Sequence, residues 1–142
     1  MKKEIFGANL KMMLPFPSRV TSFSMLERLL EGYKERDIES KRDIETTDLS
    51  QVILFAPYTH LQFVGDLIKR ISLNISLGSQ SVSEHTSGAH TSEVSPEWLR
   101  ELGIEYALIG HSEIRESYEK LAKGLGITSP IFQYNINDLF NR

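Results

Sequence analysis

The most suggestive chemistry in this 142-residue sequence is a histidine placed where an apolar run gives way to a helix start. Ile109-Gly110-His111-Ser112-Glu113 lies between the apolar run Tyr106 to Ile109 and a predicted helix, Ile114 to Lys123. Backbone amides at a helix start carry partial positive charge. An imidazole there is suited to donating a hydrogen bond to a substrate oxygen from its neutral form. A histidine at a strand end also serves as a structural hydrogen-bonding residue, and the pattern alone leaves both readings open. Asn9 and Lys11 follow another apolar run, Ile5 to Ala8, and strand alternation would put both on one face, able to reach one cleft. Lysine offers a compact cation for a phosphate or a developing oxyanion, and asparagine offers directional donors. The competing reading is a polar strand end facing water.

Other candidates carry less. His85 and His90, with His60, suggest metal ligation, but the first two fall in a loop, with no cysteine and no helical i, i+4 frame, so no metal is expected. Gly124-x-Gly126 lacks the further glycine and the lysine of a phosphate-binding loop. Asn74-Ile75-Ser76 is a glycosylation triplet inside a predicted buried strand.

These residues need a frame, and the apolar pattern supplies one. Short apolar runs at Ile5 to Ala8, Val52 to Ala56, Ile75 to Leu77 and Tyr106 to Ile109 read as buried strands. Between them, Val20, Phe23, Met25, Leu26, Leu29, Leu30 and Tyr33 recur at helical spacing after the stop Pro15-Phe16-Pro17-Ser18. Leu61, Val64, Leu67, Ile68 and Ile71 predict a second helix, and Ser95-Pro96-Glu97 a third that Gly103 ends. Residues 34–50 hold ten charged side chains, which predicts a solvated surface loop. Strand and helix in strict alternation imply a parallel α/β sheet or barrel. Asn137-Asp138 reads as the opening of a further helix, and the chain is expected to stop inside it, as a single N-terminal half-domain over 1–142.

Composition bounds the partners. The sequence is 40% apolar and 25% charged, enough for a packed core, and its net charge of −3 offers no field for nucleic acid or an anionic membrane. No run approaches the ~18 apolar residues of a membrane span. The absence of cysteine removes disulfides and thiolate chemistry and suits a reducing compartment, so a cytoplasmic protein is expected.

Four motifs in order carry a resemblance. Gly7-Ala8-Asn9-Leu10-Lys11-Met12, Ala56-Pro57-Tyr58-Thr59, Gly88-Ala89-His90-Thr91-Ser92-Glu93-Val94-Ser95-Pro96 and Ile109-Gly110-His111-Ser112-Glu113 together resemble the triosephosphate isomerases. The resemblance implies a (β/α)8 TIM barrel, here about its first four βα units with parallel strands, whose site lies at the C-terminal ends of the strands. It implies interconversion of dihydroxyacetone phosphate and glyceraldehyde 3-phosphate through an enediolate, a step of glycolysis and gluconeogenesis, with no cofactor. Lys11 becomes the cation for phosphate and enediolate, Asn9 an orienting donor, His111 the neutral electrophile and Glu113 a supporting carboxylate. Family members are homodimers whose third loop enters the neighbour, which implies that role for Thr91 and Glu93.

The sequence departs from the family at Leu10, where tryptophan is frequent, at His90 for phenylalanine, and at Ile114 for an arginine that anchors the dimer. Nothing in it matches the family's catalytic glutamate or its glycine-rich phosphate grip, and a barrel of this kind takes about 250 residues. Proton shuttling between adjacent carbons needs a base as well as donors. The 142 residues alone are therefore expected to be inactive. Two alternatives stand beside this reading: a non-catalytic half-barrel that assembles with itself or with a second half, and an isomerase of a four-carbon sugar phosphate.

Overall fold

A computed structural model describes residues 5–12, 19–42 and 51–126. The chain divides into two compact units, Met1–Ala107 and Leu108–Arg142. The first holds four strands, β1 (Ile5–Asn9), β2 (Gln51–Ala56), β3 (Ser76–Ser79) and β4 (Tyr106–Ala107), and the helices α1 (Arg19–Arg42), α2 (Leu61–Arg70) and α3 (Pro96–Glu101). The second holds α4 (Ser112–Gly124). All strand pairs are parallel and the spatial order is β1-β2-β3-β4. Parallel neighbours in chain order require a crossover each time, and α1, α2 and α3 supply it.

The two faces of this sheet are filled differently. Leu54 and Ala56 of β2 join Leu26 and Leu30 of α1, Leu61, Val64, Leu67 and Ile68 of α2 and Leu99 of α3 in one buried cluster. Each fully buried leucine contributes about 1.5–3 kcal/mol relative to exposure, so this one layer of helices anchors the unit. Ile53 and Phe55 point to the opposite face and are buried outside that cluster. There the Phe55 ring crosses two glycines: a Cβ on Gly78 would lie 2.5 Å from its Cδ1, and one on Gly7 would lie 3.2 Å from its Cε2. The amide of Gln51 ties the same face together, donating to Ser76 Oγ at 3.0 Å and to Tyr106 Oη at 2.7 Å.

Local signals place the helices as the sequence predicts. Ser95 caps α3, its Oγ accepting from Glu97 N at 3.1 Å with Pro96 in the first helical turn, and Gly103 leaves the helix at φ 77°. The charged stretch is a correction. α1 continues through Arg42, so residues 34–42 are helix where a loop was expected. Charge density rules out burial, not helicity, and Lys, Glu and Arg are among the better helix formers. Residues 43–50, the Pro15 to Ser18 stop and the helix expected from Asn137 lie outside the described residues.

Candidate active-site residues

In the first unit, the C-terminal end of β1 makes a small polar knot. Asn9 is the last residue of β1, and its Oδ1 accepts from Lys11 N at 2.9 Å and from Gln80 Nε2 at 3.0 Å. The same Gln80 nitrogen donates to Lys11 O at 3.1 Å. Both acceptor directions of the Asn9 oxygen are thereby used, which leaves its Nδ2 as the donor available to a ligand. Lys11 adopts φ 48°, a left-handed conformation that costs a side-chain-bearing residue about 1–3 kcal/mol. The hydrogen bonds from and to Lys11 offset that at about 0.5–1.5 kcal/mol each. Asn9 and Lys11 are thus joined by a side-chain-closed turn and not, as expected, by strand alternation, because β1 ends at Asn9.

Gln80 was not singled out in the sequence. It stands one residue past β3, in the alternating row of Ser76 and Gly78 that faces Phe55. The rule that drew attention to Asn9, a polar residue just past a strand's C-terminal end, would have found it.

In the second unit, His111 is the N-cap of α4, with φ −55° and ψ 141°, after Gly110 at φ 63°. Its Nδ1 lies 3.3 Å from Glu113 N and 3.5 Å from Glu113 Oε2. One nitrogen cannot both accept from the amide and donate to the carboxylate. The amide contact has hydrogen-bond geometry and the carboxylate sits beyond normal bonding distance, so Nδ1 is the acceptor. In the neutral imidazole the ring proton is then on Nε2, which makes that nitrogen a donor. The His111 side chain is 27% exposed and that of Glu113 58%, so both are reachable by solvent.

Thr91 and Glu93 lie exposed on the loop between β3 and α3, residues 80–95, with Glu93 accepting from Ser83 Oγ. His85 and His90 stack on this loop, rings 3.8 Å apart and 7° from parallel. With Glu93 they present ligand atoms within 4.8 Å of one another, while His60 stands apart at the start of α2, its Nδ1 2.8 Å from Thr59 Oγ1. Among the described residues no helix is long and apolar enough to cross a membrane.

Parallel strands in chain order, helices layered on one face of the sheet, and polar side chains beyond the strands' C-terminal ends define the β/α-barrel class of fold. The family model described as "Triosephosphate isomerase" matches residues 6–125. This chain belongs to the triosephosphate isomerase family. A triosephosphate isomerase of Tropheryma whipplei is 33% identical over 114 residues, 80% of this chain and 36% of the relative. That of Cutibacterium acnes is 33% identical over 116 residues, covering 82% and 41%. That of Colwellia psychrerythraea is 41% identical over 80 residues, covering 55% and 31%. The chain thus spans between 31% and 41% of the length of these curated relatives.

Proposed function

We propose that this chain provides the electrophilic side of a triosephosphate isomerase, acting on dihydroxyacetone phosphate and glyceraldehyde 3-phosphate. The observation that carries this reading is the cap geometry of His111. With Nδ1 accepting from Glu113 N, the opposite ring nitrogen is a fixed N–H donor able to polarise a carbonyl and then stabilise the enediolate oxygen. Lys11 supplies positive charge for the phosphate and the enediolate, and Asn9 donates through Nδ2. Gln80 positions both. Glu113 supports the cationic side, and Thr91 and Glu93 belong to a homodimer contact.

Donors alone do not isomerise an α-hydroxy carbonyl, because a base must also carry the proton from one carbon to the next. No carboxylate of these 142 residues has that role in the proposal, so the chain alone turns over glyceraldehyde 3-phosphate no faster than buffer does. Joined to the remaining segment of the Tropheryma relative, it gains activity that His111→Gln lowers by about 10²–10³-fold, the usual loss for one oxyanion donor. Turnover by the isolated chain that His111→Gln abolishes would refute its inactivity. An active chimaera indifferent to His111→Gln would refute the assigned role. Offering erythrose 4-phosphate beside the triose decides whether the substrate is longer.

A second reading has its own observation. Among the described residues β1 is an edge strand, and its Ile5 and Phe6 are 60% and 54% exposed, although both are strongly apolar. Such an edge is completed by pairing with a second copy or a second half-barrel. Sedimentation showing a folded monomer at every concentration sinks the self-pairing form of this reading.

A further inference from the structure

The loop between β3 and α3 holds a side-chain cluster of which the isomerase reading uses only Glu93, in its homodimer contact, and leaves His85 and His90 without a role. Its two ends are tied by Ser83 N donating to Val94 O at 2.9 Å. Within it, His85 N donates to Ser83 Oγ at 3.0 Å, His90 N to Gly88 O at 3.0 Å and Glu93 N to His90 O at 3.2 Å. Gly88 at φ 124° and Ser92 at φ 78° make the reversals that bring residues 85, 90 and 93 together. A Cβ on Gly88 would come within 3.2 Å of the His90 ring, so glycine also makes room for that ring. The cluster lies within one chain and needs no second copy.

We propose that His85, His90 and Glu93 form a binding site for one divalent d-block cation of the zinc class, with water completing the coordination. Two imidazoles and a carboxylate are the donor set such ions favour, whereas magnesium and calcium prefer oxygen ligands alone. Ligands on a tetrahedral zinc, at about 2.0–2.1 Å from the metal, stand about 3.3 Å from one another. The three donors are within 4.8 Å of one another, so they need to close by no more than about 1.5 Å to reach that spacing, a shift within the range of side-chain rotation. All three residues are exposed in the single chain, so solvent surrounds the imidazole that must turn.

The stack itself says how the ion enters. A metal bound to imidazole lies in the ring plane, along the nitrogen lone pair. Rings stacked 3.8 Å apart and 7° from parallel have no nearby point lying in both ring planes, so no ion can sit along a lone pair of each. One ring therefore turns out of the stack on binding, about a torsion with broad minima. Ser83 Oγ donates to Glu93 Oε2, which holds the carboxylate while Oε1 faces the ion. Glu84, whose Oε1 is 3.7 Å from His85 Nε2, adds a second negative charge beside the site.

The test is calorimetric titration of the 142-residue chain with zinc chloride in a non-chelating buffer, together with proton NMR of its four histidine rings. One equivalent binds, the His85 and His90 ring signals move, and those of His60 and His111 stay. His90→Ala and Glu93→Gln each weaken binding by about tenfold or more. Circular dichroism identical to that of the parent shows that the variants remain folded, and the NMR experiment needs no variant. Absence of binding, affinity unchanged in His90→Ala, or zinc-dependent movement of the His60 or His111 signals overturns the proposal.

Discussion

Replacing Gly78 by alanine tests the packing of the sheet face opposite the helices. The added Cβ would stand 2.5 Å and 2.6 Å from Phe55 Cδ1 and Cε1, and 3.2 Å from Tyr106 O. Ordinary carbon contacts are about 3.5–4.0 Å, so the ring must retreat by about 1 Å while the Tyr106 carbonyl, being backbone, stays. Overpacking of this kind costs about 1–3 kcal/mol. Against it stands a gain of about 0.4–1 kcal/mol, because alanine narrows the unfolded ensemble and Gly78 is not in the left-handed region. The net expectation is a loss of about 1–2 kcal/mol. Urea unfolding followed by far-ultraviolet circular dichroism reads this as a midpoint lowered by about 0.5–1 M, for a slope of about 2 kcal/mol per molar. Gly32→Ala is the opposite-sign control, since nothing lies within 4 Å of its added Cβ on α1, and it should stabilise by about 0.5–1 kcal/mol. The decisive arm is Phe55→Leu, in whose background Gly78→Ala should lose most of its cost. An equal cost with and without the ring would refute the reasoning.

Lys11 separates backbone strain from charge. Lys11→Gly should be more stable than Lys11→Ala by about 1 kcal/mol in the same urea assay, because only glycine occupies φ 48° without penalty. Equal midpoints would show that the turn relaxes. Tyr58 gives a pH test: burial raises its phenol above the usual 10.0, with a hydrogen bond involving Ser81 acting weakly the other way. The unfolded chain therefore ionises first, so this contribution is intact below pH 10 and is lost as pH rises through the folded value. Tyr58→Phe should flatten that fall in stability, and an unaltered slope in the variant would assign it to other groups.

What was legible in the sequence is what neighbouring residues decide. Each predicted strand has a counterpart, but burial was expected of all four and β1 departs from it: Ile5 to Ala8 are exposed although paired with β2, because an apolar run announces pairing while burial depends on what covers the sheet. The cap at Ser95 was readable from its neighbours, and His111 stands at a helix start as its motif implied. The misreading of residues 34–42 came from letting charge decide conformation, when it decides only exposure. Gln80 and Asn9 are distant in sequence and meet only because β3 and β1 flank β2 in register. The association of His85, His90 and Glu93 depends on left-handed backbone at Gly88 and Ser92, which no side-chain pattern announces for a serine.

α1 reaches farther than the sheet it serves. Its 24 residues extend about 36 Å, against about 15 Å for the 10 residues of α2. Lys34 donates its amine to Ile71 O, level with the C-terminal cap of α2. Both helices run opposite to the strands, so residues 35–42 carry α1 about 12 Å onward, past the strands' N-terminal edge. The projection therefore leads away from Asn9, Lys11 and Gln80. A fluorophore or surface tether attached at Glu35 would immobilise or report on the molecule from its far side, leaving the approach to those three side chains clear.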